Sequence, residues 1–178
     1  GVMNFTADGA EKVALLNSVL DKKSATVSDI ETWTQLEGLA KTVNGVIDTA
    51  AGRTAAPELS ADKLNALGIT GAPVTDDNLA AVTAALASAD LGEVDSLGEL
   101  DTVINDAVTA FNAAISKVEN YAGNSNTAVG SGGVPELSDY QDLGIDFSAF
   151  SDDTALFASV NTVLASLPVV GSDVDAAA

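Results

Sequence analysis

The sequence contains no cysteine and no histidine. Disulfide bonds are therefore excluded, as are thiolate and imidazole metal sites. A serine nucleophile would have no imidazole base, and only a lysine could replace it. We expect no such serine–lysine partnership, because Lys41 and Lys117 adjoin Thr42 and Ser116 at helix positions that face different ways. We therefore predict a protein that is not an enzyme, with no catalytic, cofactor-binding or metal-binding residues and no cofactor.

Aromatic residues are also scarce, at 4% of the chain, although 47% of the residues are apolar. The core must then consist of Ala, Val, Leu and Ile, which favours closely packed helices. Only 7 residues are basic against 26 acidic ones, and the formal net charge is -19. A surface this acidic repels nucleic-acid phosphates and anionic lipid head groups. We predict no nucleic-acid partner and no membrane insertion.

Two further features could suggest a membrane span or an ion site. The uncharged run from Thr154 to Ser172 is long enough to span a bilayer, but Asn161 and Pro168 interrupt it, so a buried helix followed by a loop fits better. The acidic pairs Asp76-Asp77 and Asp152-Asp153 stand where helices begin and complement the helix dipole. No calcium-loop pattern of the Asp-x-Asp-x-Asp-Gly kind occurs.

The main positive feature of the sequence is an internal repeat with a period of about 77 residues. Such a period is typical of tandem arrays. The recurring pairs are Pro57–Ser60 with Pro135–Ser138, Leu67–Ile69 with Leu143–Ile145, Thr75–Asp77 with Ser151–Asp153, and Leu86–Ser88 with Leu164–Ser166. We predict a partial repeat of two helices over 1–52, a complete repeat over 57–123, a flexible linker over 124–134 and a second partial repeat over 135–178. Because both ends fall inside a repeat, we expect a piece cut from a longer array.

Each repeat is predicted to hold a short, a medium and a long helix, giving an all-α fold of tandem three-helix bundles. Ser28 with Glu31, and Ser96 with Glu99, have the spacing of a capping box. The long helices then carry apolar residues at steps of three and four. Trp33 lies on this apolar stripe and is predicted to be part of the core. The predicted helices are Thr6–Asp21, Ser28–Gly52, Ser60–Leu67, one after Thr75, Ser96–Tyr121, Ser138–Leu143 and Ser151–Ser166.

The order of these features resembles the GA-type three-helix module of bacterial surface proteins. The residues that carry the resemblance are Leu64–Ile69, Asn78–Ala89 and Glu93–Leu100. The segments Gly68–Thr70 and Asp77–Val82 are also similar to the Ala-rich GA-like repeats of giant secreted bacterial proteins, including RTX-type and biofilm adhesins. The loop between the first two helices differs from that of GA modules, and the third helix is longer. The albumin-binding surface is therefore not carried over.

The resemblance implies an extracellular or cell-surface location and a structural role. We expect an extender, spacer or adhesion segment of a large secreted or surface-attached bacterial repeat protein, whose partners are neighbouring repeats of the same chain. One alternative is a module that binds a host or matrix protein. A second is a calcium-dependent or self-assembling subunit of a surface layer or filament. A spacer requires polar outer faces, whereas a binding module requires an exposed apolar or aromatic patch.

Overall fold

The computed structural model describes residues 8–24, 30, 32–53, 58–123, 133–145 and 154–166; of 24, 123 and 154–157 only the backbone is described. These residues form α-helices and one 3₁₀ turn, at Leu91–Glu93, and contain no strand. The prediction of an all-α fold is therefore confirmed. The helices are α1 (Gly9–Ser24), α2 (Trp33–Ala50), α3 (Ala61–Asn65), α4 (Leu79–Ser88), α5 (Leu97–Gly123), α6 (Leu137–Asp142) and α7 (Thr154–Ser166).

One core of aliphatic side chains joins α1 to α5. Its largest fully buried members are Leu15, Val19, Val43, Val46, Ile47, Leu64, Leu67, Val82, Leu86, Val94, Leu100 and Ile104. The apolar stripe predicted for the long helix of the middle repeat is buried at Leu97, Leu100, Ile104, Phe111 and Val118. Because no core side chain in this cluster is aromatic, the helices approach one another over small and branched residues.

The two long helices, α2 and α5, each contact helices that precede and follow them in the chain. Helix α2 packs against α1, α3 and α4, and α5 packs against α4, α6 and α7. The start of α5 also contacts α1, where the Leu97 N–H donates to the Ser18 hydroxyl at 3.0 Å. A short and a medium helix thus follow each long helix and pack against it.

Side-chain caps fix where several helices begin. Helix α2 begins at Trp33, capped by Thr32, whose hydroxyl oxygen accepts from the Gln35 N–H while the Gln35 side chain accepts from the Thr32 N–H. The predicted start at Ser28 is therefore wrong for the helix itself, and Ser28 lies outside the described residues. The predicted cap of the middle long helix is present, since the Glu99 N–H donates to the Ser96 hydroxyl oxygen at 3.3 Å.

A glycine with positive φ follows each of the short helices α3 and α6 within a few residues. The φ angle is +97° at Gly68 and +79° at Gly144. L-residues other than glycine adopt this left-handed conformation only at a cost. Gly144 also lies directly against α4, because a Cβ atom added there would come within 2.7 Å of the Ala81 nitrogen. Gly68 has more space, and its nearest neighbour would be Lys22 Cγ at 4.0 Å.

The Ser96 cap leads to a first prediction. Replacing Ser96 with Ala should lower the free energy of unfolding by about 1 kcal/mol, since an orphan N–H group at the helix start loses its acceptor. The control is Asp106→Asn at an exposed position of the same helix, which should change stability by only a few tenths. Thermal or urea melts that shift equally for both variants would contradict the assigned start of α5.

A second prediction concerns the glycine turns. Gly68→Ala should lose about 1–2 kcal/mol because alanine is strained at positive φ. Gly144→Ala should lose distinctly more, since its Cβ would also collide with the backbone of Ala80 and Ala81. Urea unfolding of both variants measures the difference, and equal losses would show that α6 does not contact α4 as described.

Candidate functional site

No catalytic constellation appears among the described side chains. Contrary to the expectation from the sequence, Ser60 and Lys63 do have Ser-x-x-Lys spacing, but both groups have structural roles. The Ser60 hydroxyl oxygen accepts from the Lys63 N–H and caps α3, and Lys63 Nζ donates to the Glu58 carbonyl at 2.6 Å. Thr42 and Ser116 donate their hydroxyl protons to backbone carbonyls of their own helices.

The acidic residues also show no convergent ion site within the described ranges. No group of three or more Asp or Glu side chains there could hold a metal ion. Asp76 and Asp77 are exposed just before α4, as expected of charges at a helix start. Asp152 and Asp153 lie outside the described residues. No described helix is both long and apolar enough to cross a membrane.

A groove of about 870 Å³ lies between the end of α1, the first half of α2, and α3 with the segment before it. We call it the lysine groove, because a lysine from each of the three helices lines it. The lining residues are Lys23, Gln35, Gly38, Leu39, Lys41, Thr42, Glu58, Asp62, Lys63 and Ala66. The buried side chains of Leu39 and Thr42 lie at its floor, and the charged residues surround them.

A second groove lies in the corresponding place between α4, α5 and α6. We call it the alanine groove; its volume is about 490 Å³. Helix α5 contributes Ala107 and Ala110 with the same spacing as Leu39 and Thr42 of α2. The other lining residues are Ala81, Ala84, Ala85, Ser88, Gln141, Asp142, Gly144 and Ile145, and none of them is basic.

The charge of the lysine groove differs from that of the whole chain. Six of the seven basic residues fall within residues 1–63. Lys41 Nζ lies 3.0 Å from a carboxylate oxygen of Glu37, and both side chains are well exposed. This neighbouring ammonium group lowers the pKa of Glu37, first through the hydrogen bond and second through its charge. A contact this exposed contributes little to stability.

Trp33 is the clearest disagreement between sequence and structure. It was predicted to lie in the core, but 65% of its surface is exposed at the first position of α2. The apolar period correctly placed Leu39, Val43 and Ile47, which are buried. Trp33 follows the same period, but no described helix packs over the end of α2 that carries it. Aromatic side chains on a surface are typical of protein-binding sites.

A network of amide and carboxylate groups holds the loop between α3 and α4. Asp101 accepts hydrogen bonds from the Thr70 N–H at 3.0 Å, the Thr70 hydroxyl at 2.6 Å and the Gly71 N–H at 3.4 Å. Asn105 Oδ1 accepts from the Ala72 N–H at 2.8 Å. Partial burial would raise the pKa of Asp101, but the bonds from Thr70, Gly71 and Asn105 outweigh it and lower that pKa. These groups therefore have a structural role.

A second buried polar cluster joins α6 to α7. Tyr140 donates its hydroxyl proton to Asn161 Oδ1 at 2.6 Å, and Asn161 Nδ2 donates to the Pro135 carbonyl at 3.0 Å. Burial, with smaller contributions from the charges of Tyr121 and Asp139, raises the pKa of Tyr140 to about 12. The phenol thus stays protonated as a donor at physiological pH, and every polar group in the cluster has a partner.

Comparison of the chain with protein-family models, with curated proteins and with solved structures gives no match. The resemblance to GA-type modules therefore rests on the quoted sequence motifs alone.

The loop network leads to a third prediction. Asp101→Asn should destabilise the protein by about 1–2 kcal/mol at pH 7, because a charged acceptor of several hydrogen bonds is lost. The folded-state pKa of Asp101 is lowered, so its contribution is present above the unfolded pKa of about 3.9 and is lost as pH falls through the folded value. The stability difference between the two proteins, measured by urea melts, should therefore shrink below about pH 4. A difference that is constant from pH 7 to pH 3 would contradict the assigned role.

Proposed function

We propose that this chain is a segment of a tandem array of three-helix units of about 77 residues, and that its role is structural. It acts as a non-enzymatic extender, spacer or adhesion segment of a large secreted or surface-attached bacterial protein, of the GA-like type that its motifs resemble. Its first partners are neighbouring units of the same longer chain.

The observation that carries this proposal is the repeated use of a long helix by two successive units. Helix α2 packs against α1 of its own unit and against α3 and α4 of the next, and α5 does the same with α4, α6 and α7. Arrays in which each repeat contacts only its neighbours build one continuous core by this kind of sharing. Each long helix can join its own unit to the next one in this way, so the packing supports an array of many units.

The glycine turns support the same arrangement. Gly68, which follows α3, lies beside Lys22 of α1, and Gly144, which follows α6, lies beside Ala80 and Ala81 of α4. In both cases the turn after the short helix of one unit lies next to the medium helix of the preceding unit. The motif Leu-Gly-Ile recurs at both turns, so the repeated sequence coincides with a repeated contact.

The surface of α7 fits a further unit. If Leu164 takes the place of Leu86, as the sequence repeat indicates, then Val163 takes the place of Ala85. Ala85 is half-buried beside α6 in the alanine groove, whereas 61% of the surface of Val163 is exposed. The short helix of a following unit would cover this face.

The charge of the chain suits an extended, soluble segment. With a formal net charge of -19, neighbouring copies repel one another, which disfavours association through their sides. Scarce aromatic residues and an absence of catalytic side-chain groups in the described ranges agree with a passive role. Extension and separation of other domains require only a stable array with polar outer faces.

Trp33 favours a second candidate function. An exposed indole on a helix end could anchor a host or matrix protein, because tryptophan is enriched among residues that dominate binding energy. In that case the segment would be an adhesion module instead of a passive spacer. If a Trp33→Ala variant of unchanged stability no longer bound the host or matrix protein, that loss would favour this candidate.

A fourth prediction tests the array directly. Residues 172–178 would be replaced by a second copy of residues 94–123, which completes the third unit with a long helix in the register that the repeat predicts. Amide hydrogen exchange in α7 should then slow markedly and the melting temperature should rise, since repeat interfaces add to stability. The matched control carries the same 30 residues of 94–123 in scrambled order. Equal protection of α7 in both proteins would refute the tandem arrangement.

A further inference from the structure

The two grooves occupy the same place in successive units but differ in charge. In the lysine groove the segment of α2 reads Leu39-Ala40-Lys41-Thr42, and in the alanine groove the segment of α5 reads Ala107-Val108-Thr109-Ala110. Lysines also reach the lysine groove from α1 and α3, while none lines the alanine groove. The second groove therefore forms without a lysine in its lining.

We propose that the lysine groove binds a small carboxylate with an aliphatic body, such as a medium-chain or long-chain fatty acid. The groove of about 870 Å³ has the size of sites for small molecules. Leu39 and the methylene stems of the lysines offer aliphatic surface, on which an alkyl chain gains free energy by leaving water. Lys23, Lys41 and Lys63 line the same groove from three helices, so an anionic head group has cationic partners there.

The dimensions and composition of the groove favour this ligand over a peptide. Helix α3 has 5 residues, so the wall it forms is about 7.5 Å long at about 1.5 Å per residue. A bound helix needs a wall long enough for anchors at positions i, i+4 and i+7. No aromatic side chain lines the groove, so it also lacks the surface on which proline-rich segments and planar rings stack.

The existing contacts of Lys41 and Lys63 leave this role open to both of them. Lys41 meets Glu37 at the exposed surface, and Lys63 Nζ donates to the Glu58 carbonyl at 2.6 Å. A lysine ammonium carries three donors, so each can retain one of these contacts and still bind a carboxylate oxygen. Glu58 and Asp62 line the groove too, and with them the lining carries a net charge of one positive unit in a strongly acidic protein.

The test uses the full chain, labelled with ¹⁵N, and monomeric laurate as the probe. We expect saturable shifts of the amide signals of Gly38 and Ala66, with no change at Ala110 in the alanine groove. Dodecanol, which has the chain without the charge, and acetate, which has the charge without the chain, should each bind at least about tenfold more weakly than laurate. Binding of dodecanol as tight as that of laurate would overturn the role of the lysines, and the absence of saturable binding would overturn the site.

Variants separate the lysines from the net charge of the protein. The double variant Lys41→Gln/Lys63→Gln should weaken laurate binding about tenfold or more. In the matched control, Lys22→Glu changes the net charge by the same two units at one exposed position outside the groove and should leave laurate binding unchanged. Equal weakening by the double variant and by this control would show that only the overall charge matters.

A third variant blocks the groove without changing its charge. Gly38→Phe places a ring at the groove, since an added Cβ at Gly38 meets no atom within 4 Å, and should abolish laurate binding in a protein that still melts cooperatively. Retained binding by that folded variant would place the ligand elsewhere. None of these outcomes depends on whether the chain is a spacer.

Discussion

The structure depends on burying each long helix on more than one side. The main core cluster contains no aromatic residue, so each pair of its helices gains little free energy, because small side chains remove little apolar surface from water. Helix α5 compensates by packing against three helices, α4, α6 and α7. Leu100 and Ile104 are consequently fully buried, and Val118, further along the helix, is nearly so. A helix of 27 residues could not bury so much of its surface against a single neighbour.

This sharing places strict demands on the turns. The chain must reverse tightly after each short helix so that the next medium helix can reach the long one. Glycine at positive φ makes the reversal possible at Gly68 and Gly144. The loop after Gly68 is then fixed by long-range polar contacts, in which Asp101 and Asn105 of α5 bind the backbone of residues 70–72. Turn geometry and helix packing therefore support each other, and neither is determined locally.

Helix type, number and approximate position could be predicted from the sequence, because apolar spacing and capping residues act over a few residues. The cap at Ser96 is such a local feature. The exposure of Trp33 could not be predicted, since periodicity shows which residues share a face but not whether another element covers it. The lysine groove was equally hidden, because Lys23, Lys41 and Lys63 come from three helices that only the tertiary fold brings together. The loop contacts of Asp101 span about 30 residues of sequence for the same reason.

The few basic residues are unevenly distributed over the structure. Three basic residues form partly buried ion pairs between elements: Lys12 and Arg53 with Asp48, and Lys117 with Asp139. Breaking such pairs would leave a partly buried carboxylate without its partner, so these cations stabilise the fold. The last turn of α1, helix α2 and helix α3 hold Lys22, Lys23, Lys41 and Lys63. Three of these four line one groove, although the remaining surface of the protein is acidic. Three lysines from three helices that line one groove, in a protein of this charge, are the feature that most clearly points beyond a purely passive spacer.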